Sequence, residues 1–527
     1  MDKPCHEGTG LRRRGLLRLG LTGSLAAGAG PAFVRAREGG PGRPLAAEGV
    51  QVGDMRADSA IIWSRCDRPA RMEVRVSTRP DLKELLGRYS VDVLDASDYT
   101  GQVLVAGLPA GSEIHYQVSF LDLADYRTRS ATLTGRFRTP PAAHRPLRFL
   151  WSGDTVGQGF GINPDLGGMQ IYETMRRLRP DFFIHCGDMV YADGPLEEWK
   201  QLPDGRQWRN LTSEAKAKVA ETLDEFRGQY RYNLLDSKLR RFNSEVPMYA
   251  QWDDHEVTNN WFWERRLNDD PRYREHSVAL LAARAMRAFR DYVPVRQHPL
   301  DAGRLYDSFR YGPQLEVFRI DLRSYRGPNS DAQPRELSPE LRILGSRQFA
   351  WLERALREST ATWKVIASDM PLGLVAHHDW KTERGAEAVA LRDGTPAGRE
   401  VEIALLLKSL RDHEVRNVLW LTADVHYTAA HYYDPAQAQF RDFLPFWEFV
   451  SGPLNAGTFG PNRLDNTFGP QLVYQKVPPA GAQPLSPLDG MQFFGQVDID
   501  PESEVLTVRL KDLAGETLYT QELTPAG

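Results

Sequence analysis

Cysteine is scarce in this chain: three residues in 527, at positions 5, 66 and 186. That number excludes a disulfide-rich scaffold, and the spacing fits no zinc ribbon. Fold and activity must therefore rest on packing and on oxygen or nitrogen ligands. A basic excess is also missing, since 66 Lys and Arg stand against 70 Asp and Glu for a formal charge of −4. Without a basic footprint, nucleic-acid binding is not expected. No apolar run reaches the roughly 20 residues that cross a bilayer, so no stable membrane span is expected either. With 41 % hydrophobic and 26 % charged residues, the composition is that of a folded globular protein. At roughly 150 residues per domain the length allows two or three domains, one of them a large mixed α/β unit.

The first 36 residues read as an address. A basic cluster, Arg12-Arg13-Arg14, precedes an apolar stretch of Leu, Gly and Ala that closes at Val34-Arg35-Ala36, the layout of an export signal. Arg13-Arg14-Gly15-Leu16-Leu17-Arg18 resembles the twin-arginine consensus, which implies the twin-arginine export machinery as a partner and a periplasmic or extracellular destination. Cleavage after residue 36 would remove six basic and two acidic residues, taking the mature chain to −8. It would also remove Cys5. Cys66 and Cys186 fall in different predicted domains, so no disulfide between them is expected.

From 49 to 139 the chain alternates apolar and polar residues in short runs, such as Ser59-Ala60-Ile61-Ile62-Trp63-Ser64 and Met72-Glu73-Val74-Arg75-Val76, with turn residues between them. This predicts a β-sandwich, and the Leu108–Ser112 turn before Tyr116 resembles a fibronectin-type corner. A Pro-rich linker at 140–146 follows. From 147 to 527 buried apolar runs alternate with helical patterns. One helix is predicted over 212–239, with Val219, Leu223, Phe226 and Tyr230 on one face, and another near Ser346.

The strand ends carry the chemistry. Five apolar runs end in acids: 147–151 before Asp154, 181–186 before Asp188, 248–252 before Asp253-Asp254-His255, 364–368 before Asp369, and 418–423 before Asp424-Val425-His426. In α/β sheets ligand sites form at the carboxyl ends of strands. One such Asp is commonly a helix cap. Five in succession would repel one another when ionised unless cations neutralise them, so a metal centre is expected.

Gly187-Asp188-Met189-Val190-Tyr191 fits the Gly-Asp-x-x-Tyr motif of purple-acid-phosphatase-type metallophosphoesterases. The blocks at 181–194 (DFFIHCGDMVYADG), 251–261 (QWDDHEVTNNW), 321–326 (DLRSYR), 363–373 (WKVIASDMPLG) and 422–427 (TADVHY) resemble the PhoD family of alkaline phosphatases over essentially all of 49–510. That resemblance implies an α/β fold, a four-layer αββα metallophosphoesterase domain preceded by a fibronectin-like β-sandwich. It implies Asp188 bridging two metals, with Tyr191 and His426 on the first. Phenolate ligation by Tyr191 suits Fe3+. The family commonly has cysteine where this chain has Asp154, and the carboxylate there is expected to ligate the iron. The second metal would draw on Asp188, Asp254 and Asp424, with Asp369 as a further candidate. Hard oxygen donors favour Ca2+, with Mn2+ or Mg2+ as alternatives.

The expected chemistry is attack on phosphorus by a hydroxide held between two cations. His255 is the candidate general acid or transition-state stabiliser. Arg323 is a candidate catalytic and phosphate-binding fork, and Asn259 a candidate substrate contact. Cys186 reads as a buried apolar residue, His377-His378 as loop residues, and Gly157–Gly161 as a rim beside Asp154 without the Gly-Lys-Ser/Thr of a nucleotide loop. These residues predict an exported metal-dependent phosphoesterase for monoesters, diesters or both. A phospholipase D-like diesterase is the alternative, and a binding protein that has lost catalysis the remote one.

Overall fold

The computed structural model describes residues 42–482 and 484–527. The twin-arginine reading of residues 1–36 lies outside them. Two large sheets dominate. In a nine-stranded sheet the order is Thr517–Leu523, Leu506–Asp512, Phe493–Ile499, Leu147–Ser152, Phe182–His185, Met248–Ala250, Val50–Arg56, Ser59–Arg65 and Thr100–Ala106. A seven-stranded sheet runs Asp307–Tyr311, Leu315–Arg319, Trp363–Ala367, Val418–Thr422, Phe446–Val450, Thr428–Tyr433 and Pro470–Lys476.

Period-two alternation sorts the side chains into layers. Phe149, Trp151 and Ile184 from the first sheet meet Val317, Val365, Leu419 and Phe449 from the second in one core. Their neighbours point outward. Leu150 and Phe183 pack against Ile171, Met175, Phe242, Leu281 and Phe289 of helices Gln170–Arg177, Ser237–Glu245 and Val278–Tyr292. Phe318, Ile366 and Trp420 pack against Leu352, Leu356, Ile403 and Leu407 of helices Gly345–Glu358 and Glu400–Asp412. The result is helix, sheet, sheet, helix: the expected αββα order.

The sandwich is present but shares a sheet with its neighbour. Strands Gly87–Val93, Ala70–Ser77, Glu113–Asp122 and Leu133–Arg138 form one face. The opposing face is the end of the nine-stranded sheet, where Gly53 pairs in parallel with Met248. Met72, Val74 and Tyr116 accordingly share one core with Val317 and Val365.

The helix expected over 212–239 forms only in part: Glu214–Lys216 is a short 3-10 turn, Val219 lies outside any helix, and the α-helices are Leu223–Asn233 and Ser237–Glu245. Thr222 and Glu225 form a reciprocal capping box that starts Leu223–Asn233, and the Asp236 carboxylate caps Ser237–Glu245 by accepting from Lys238 and Leu239. A Thr and an Asp inside an apolar periodicity thus each start a separate helix, because their oxygens satisfy the first free N–H groups. The helix predicted near Ser346 is Gly345–Glu358. Among the described residues no helix is long and apolar enough to cross a membrane.

Candidate metal centre

Parallel strands from both sheets end around one pit. Leu147–Ser152, Phe182–His185 and Met248–Ala250 lead to Asp154, Asp188 and Asp253-Asp254 from one sheet. Trp363–Ala367 and Val418–Thr422 lead to Asp369 and Asp424 from the other. Backbone bonds tie these ends together: Thr155 N–H donates to the Asp188 carbonyl at 2.8 Å, Leu454 to Gly153 at 2.8 Å, and Ala423 to Asp369 at 2.9 Å.

Asp154, Asp188, Asp424 and His426 all have left-handed backbone, with φ of 68°, 51°, 64° and 57°. Asp and His enter that region more readily than most residues, yet it still costs energy, and such residues gather at functional sites.

The donor atoms fall into three groupings, each within 4.8 Å: Asp154, Asp188 and His426; Asp188, Asp254 and His255; Asp253, Asp254 and Asp424. Asp188 links the first two, and Asp254 the last two. His426 Nδ1 donates to the Gly457 carbonyl at 2.5 Å. Its Nε2 is thereby left as a lone pair, 2.8 Å from the Tyr191 hydroxyl and 3.4 Å from Asp154 Oδ1. Gly157 lies flat on the Tyr191 ring, where a Cβ would come within 2.5 Å of it. At Gly452 a Cβ would collide with Asp154 Oδ2. Gly157 of the 157–161 loop thus packs on Tyr191, while Gly452 packs on Asp154.

The electrostatics are those of crowded anions. Burial, with Asp254, Glu256 and Asp154 adding to it, pushes Asp188 well above the usual carboxylate range. Burial with Asp369, Asp424 and Asp254 does the same to Asp253. Asp424 is pushed up to about 7 by burial and then by Asp254. The Tyr191 phenol is raised well above its ordinary value by burial and by Asp188. Both oxygens of Asp154, 1 % exposed, and Oδ1 of Asp254 have no hydrogen-bond donor among the described residues. Buried carboxylate oxygens without donors are costly, and bound cations remove that cost. The donor set fits metal ions.

His255 stacks on the Tyr191 ring with centroids 4.2 Å apart. Its Nδ1 bonds Asp193 Oδ1 at 2.7 Å and its Nε2 lies 3.9 Å from Asp254 Oδ1. Burial alone would lower the imidazole, but Asp193, Asp254 and Asp188 outweigh it and raise it well above its ordinary value.

Arg323 is fully buried and is not a free fork. Nε donates to Asp253, Nη1 donates to Glu387, and Asp369 lies 3.4 Å from Nε. Only Nη2 has no acceptor among the described residues. Asp369 falls in none of the three donor groupings. The Asn259 side chain is exposed while its N–H donates to Asp193 Oδ2 at 2.8 Å. Its neighbour Asn260 holds the site instead, with its N–H on Asp254 Oδ2 and Nδ2 on the His378 carbonyl at 2.9 Å. Cys186 is buried, and burial pushes its thiol well above the ordinary value. Cys66 and Cys186 are both free.

Three residues of the centre escaped sequence reasoning. Asp253 stands beside Asp254 in the same run and is not distinguished from it by type. Asp193 follows Asp188 by five residues. Glu256 accepts from the N–H groups of Met189 at 2.6 Å, Asp253 at 2.8 Å and Asp188 at 3.1 Å, locking two strand-end loops together. An acid closing the Asp-Asp-His-Glu run was the available signal for Glu256.

Comparison with known proteins agrees with this fold. The solved structure of PhoD superposes with a TM-score of 0.67 at 19 % identity, covering 92 % of this chain and 90 % of that one. A purple acid phosphatase, PPD1 from yellow lupin seeds, superposes with a TM-score of 0.54 at 11 % identity, covering 92 % and 75 %. Alkaline phosphatase D of Bacillus subtilis (strain 168) is 28 % identical over 269 residues, 48 % of this chain and 42 % of that protein. The chain thus spans less than half the length of that curated relative. The model of the PhoD-like phosphatase N-terminal domain matches residues 34–141. With the PhoD-like phosphatase model matching residues 149–510, the chain belongs to the PhoD-like phosphatase family.

Proposed function

We propose that the protein is an exported metal-dependent phosphoesterase that hydrolyses phosphomonoesters, phosphodiesters or both. The observation that carries the reading is Asp154: two buried carboxylate oxygens without donors, grouped with Asp188 and with His426, whose Nε2 lone pair also meets the Tyr191 hydroxyl. In this reading Asp154, Asp188, Tyr191 and His426 hold Fe3+. Asp188, Asp254 and Asp424 hold a hard divalent cation, Ca2+ first and Mn2+ or Mg2+ as substitutes. Charge supports the pairing, because four carboxylates and a tyrosinate balance one trivalent and one divalent ion. Such a pair supplies Lewis acidity and a water of lowered pKa.

The chain's own groups supply the rest. Asp193 accepts from His255 Nδ1, which orients Nε2 toward the pit to protonate or stabilise the leaving oxygen. Arg323 holds Asp253 and Asp369, which leaves Asp254 and Asp424 as the carboxylates offered to the divalent ion. Export rests on Arg13-Arg14 and the apolar stretch after them.

The test is hydrolysis of p-nitrophenyl phosphate, its bis ester and phosphatidylcholine by the wild-type protein and by Asp188→Asn. The reading predicts turnover of the mono- or bis-ester and a loss of at least about 100-fold in the variant. Turnover of phosphatidylcholine alone would favour the phospholipase D-like alternative. Undiminished activity of Asp188→Asn would remove the metal centre from the mechanism.

A further inference from the structure

Behind the second site lies a fully buried chain of charges. Glu387 is 3 % exposed and follows the short strand Arg384–Ala386. Its Oε1 accepts from Arg323 Nη1 and from Arg326 Nη1, the latter at 2.7 Å, and its Oε2 accepts from Asn329 Nδ2. Arg323 in turn donates to Asp253 and lies 3.4 Å from Asp369. The Arg323 charge also reaches Asp254 and Asp424. Arg326 is buried as well, and its Nε donates to the Leu322 carbonyl at 2.7 Å.

A guanidinium this close to a cation site works against the cation unless an anion neutralises it. Glu387 is that anion. Burial alone would raise its carboxyl, but Arg323, Arg326 and then Arg399 outweigh burial and hold it ionised. We infer that Glu387 is a positioning residue for the second cation: it neutralises Arg323 and draws it back, leaving Asp254 and Asp424 free to bind the divalent ion while Asp253 stays fixed. This inference rests on the divalent site proposed above. Loss of the Glu387 charge leaves three buried guanidiniums, Arg323, Arg326 and Arg399, with Asp253 and Asp369 as the remaining anions on Arg323. Arg323 then competes electrostatically with the divalent ion. Loss of the Arg326 charge has the opposite sign, because Arg323 then keeps the Glu387 carboxylate as its ion-pair partner while Arg399 stays on the Glu387 carbonyl at 2.8 Å.

The test is titration of calcium, and separately manganese, into iron-loaded full-length protein stripped of divalent ions, followed by calorimetry. Wild type, Glu387→Gln and Arg326→Gln are compared. Support of an outer residue for a metal ligand is commonly worth about 10–100-fold in affinity. Glu387→Gln is expected to weaken divalent binding by about that factor with iron content unchanged, and to raise the divalent concentration giving half-maximal activity more than it lowers kcat. Arg326→Gln is expected to bind the divalent ion at least as tightly as wild type. Opposite signs separate a charge effect from simple loss of packing, which would weaken both variants. Divalent affinity of Glu387→Gln within twofold of wild type, or equal weakening in both variants, overturns the inference. Arg326→Gln alone decides it if Glu387→Gln does not fold. Absence of a bound divalent ion from the wild type would instead refute the site on which it rests.

Discussion

At the scale of residues, the centre is a set of carboxylates whose neighbours matter as much as the ligands. Glu256 shows this most directly, because one side chain accepts three N–H groups from the loops carrying Asp188 and Asp253. Replacing it by Gln keeps the volume but turns one acceptor into a donor facing backbone N–H groups. Glu256→Gln is expected to lower stability by about 1–3 kcal/mol and metal affinity by about 10-fold or more, checked by denaturant unfolding and by metal analysis after dialysis. Retention of both would show that the two loops hold their places without it. The ligand types were legible in the sequence because Asp, Tyr and His at strand ends announce themselves. Burial was not. Arg323 reads as a phosphate fork from its neighbours in sequence, and only the fold puts Asp253 and Glu387 on its nitrogens.

Among elements, helix Glu400–Asp412 carries a second acidic contact, unrelated to metal binding. Glu400 Oε1 and Asp465 Oδ2 are both buried and without donors among the described residues. Burial, and then Asp465, push Glu400 up to about 9, against 4.5 in a free chain. Between those values the folded protein keeps a proton that the unfolded chain has released, so folding stability falls as pH rises through that window. Glu400→Gln removes the penalty and supplies a donor for Asp465. Stability is expected to rise by about 1–3 kcal/mol near pH 8.5, with the gain shrinking toward pH 5, as measured by denaturant unfolding at both values. A gain independent of pH would contradict the assignment. The elements themselves were largely readable, since strands 147–152 and 418–422 are apolar runs with clear ends. The helix break near 236 was not, because apolar periodicity continues across Asp236 while its carboxylate restarts the helix.

For the whole molecule, the sandwich and the catalytic layers were read as separate units divided by a linker at 140–146. The sequence shows the alternation of each strand but not its pairing partner. Gly53 pairs with Met248, and Trp63, fully buried, donates to the Asp291 carbonyl at 2.8 Å from across the chain. A fragment starting at residue 147 would expose the strand Met248–Ala250 as an unpaired edge and uncover Tyr249 and Tyr292, an arrangement that favours aggregation. Such a fragment is expected to be insoluble, whereas residues 42–527 unfold in a single transition. A soluble, metal-binding fragment would show that the catalytic layers stand alone.

Elemental analysis of the purified protein, beside its absorption spectrum, reports what the crowded carboxylates hold. The account predicts one iron and one divalent ion per chain, with a visible tyrosinate-to-iron charge-transfer band that Tyr191→Phe abolishes while the protein stays folded. A protein active without iron, or a band that survives in Tyr191→Phe, would contradict it.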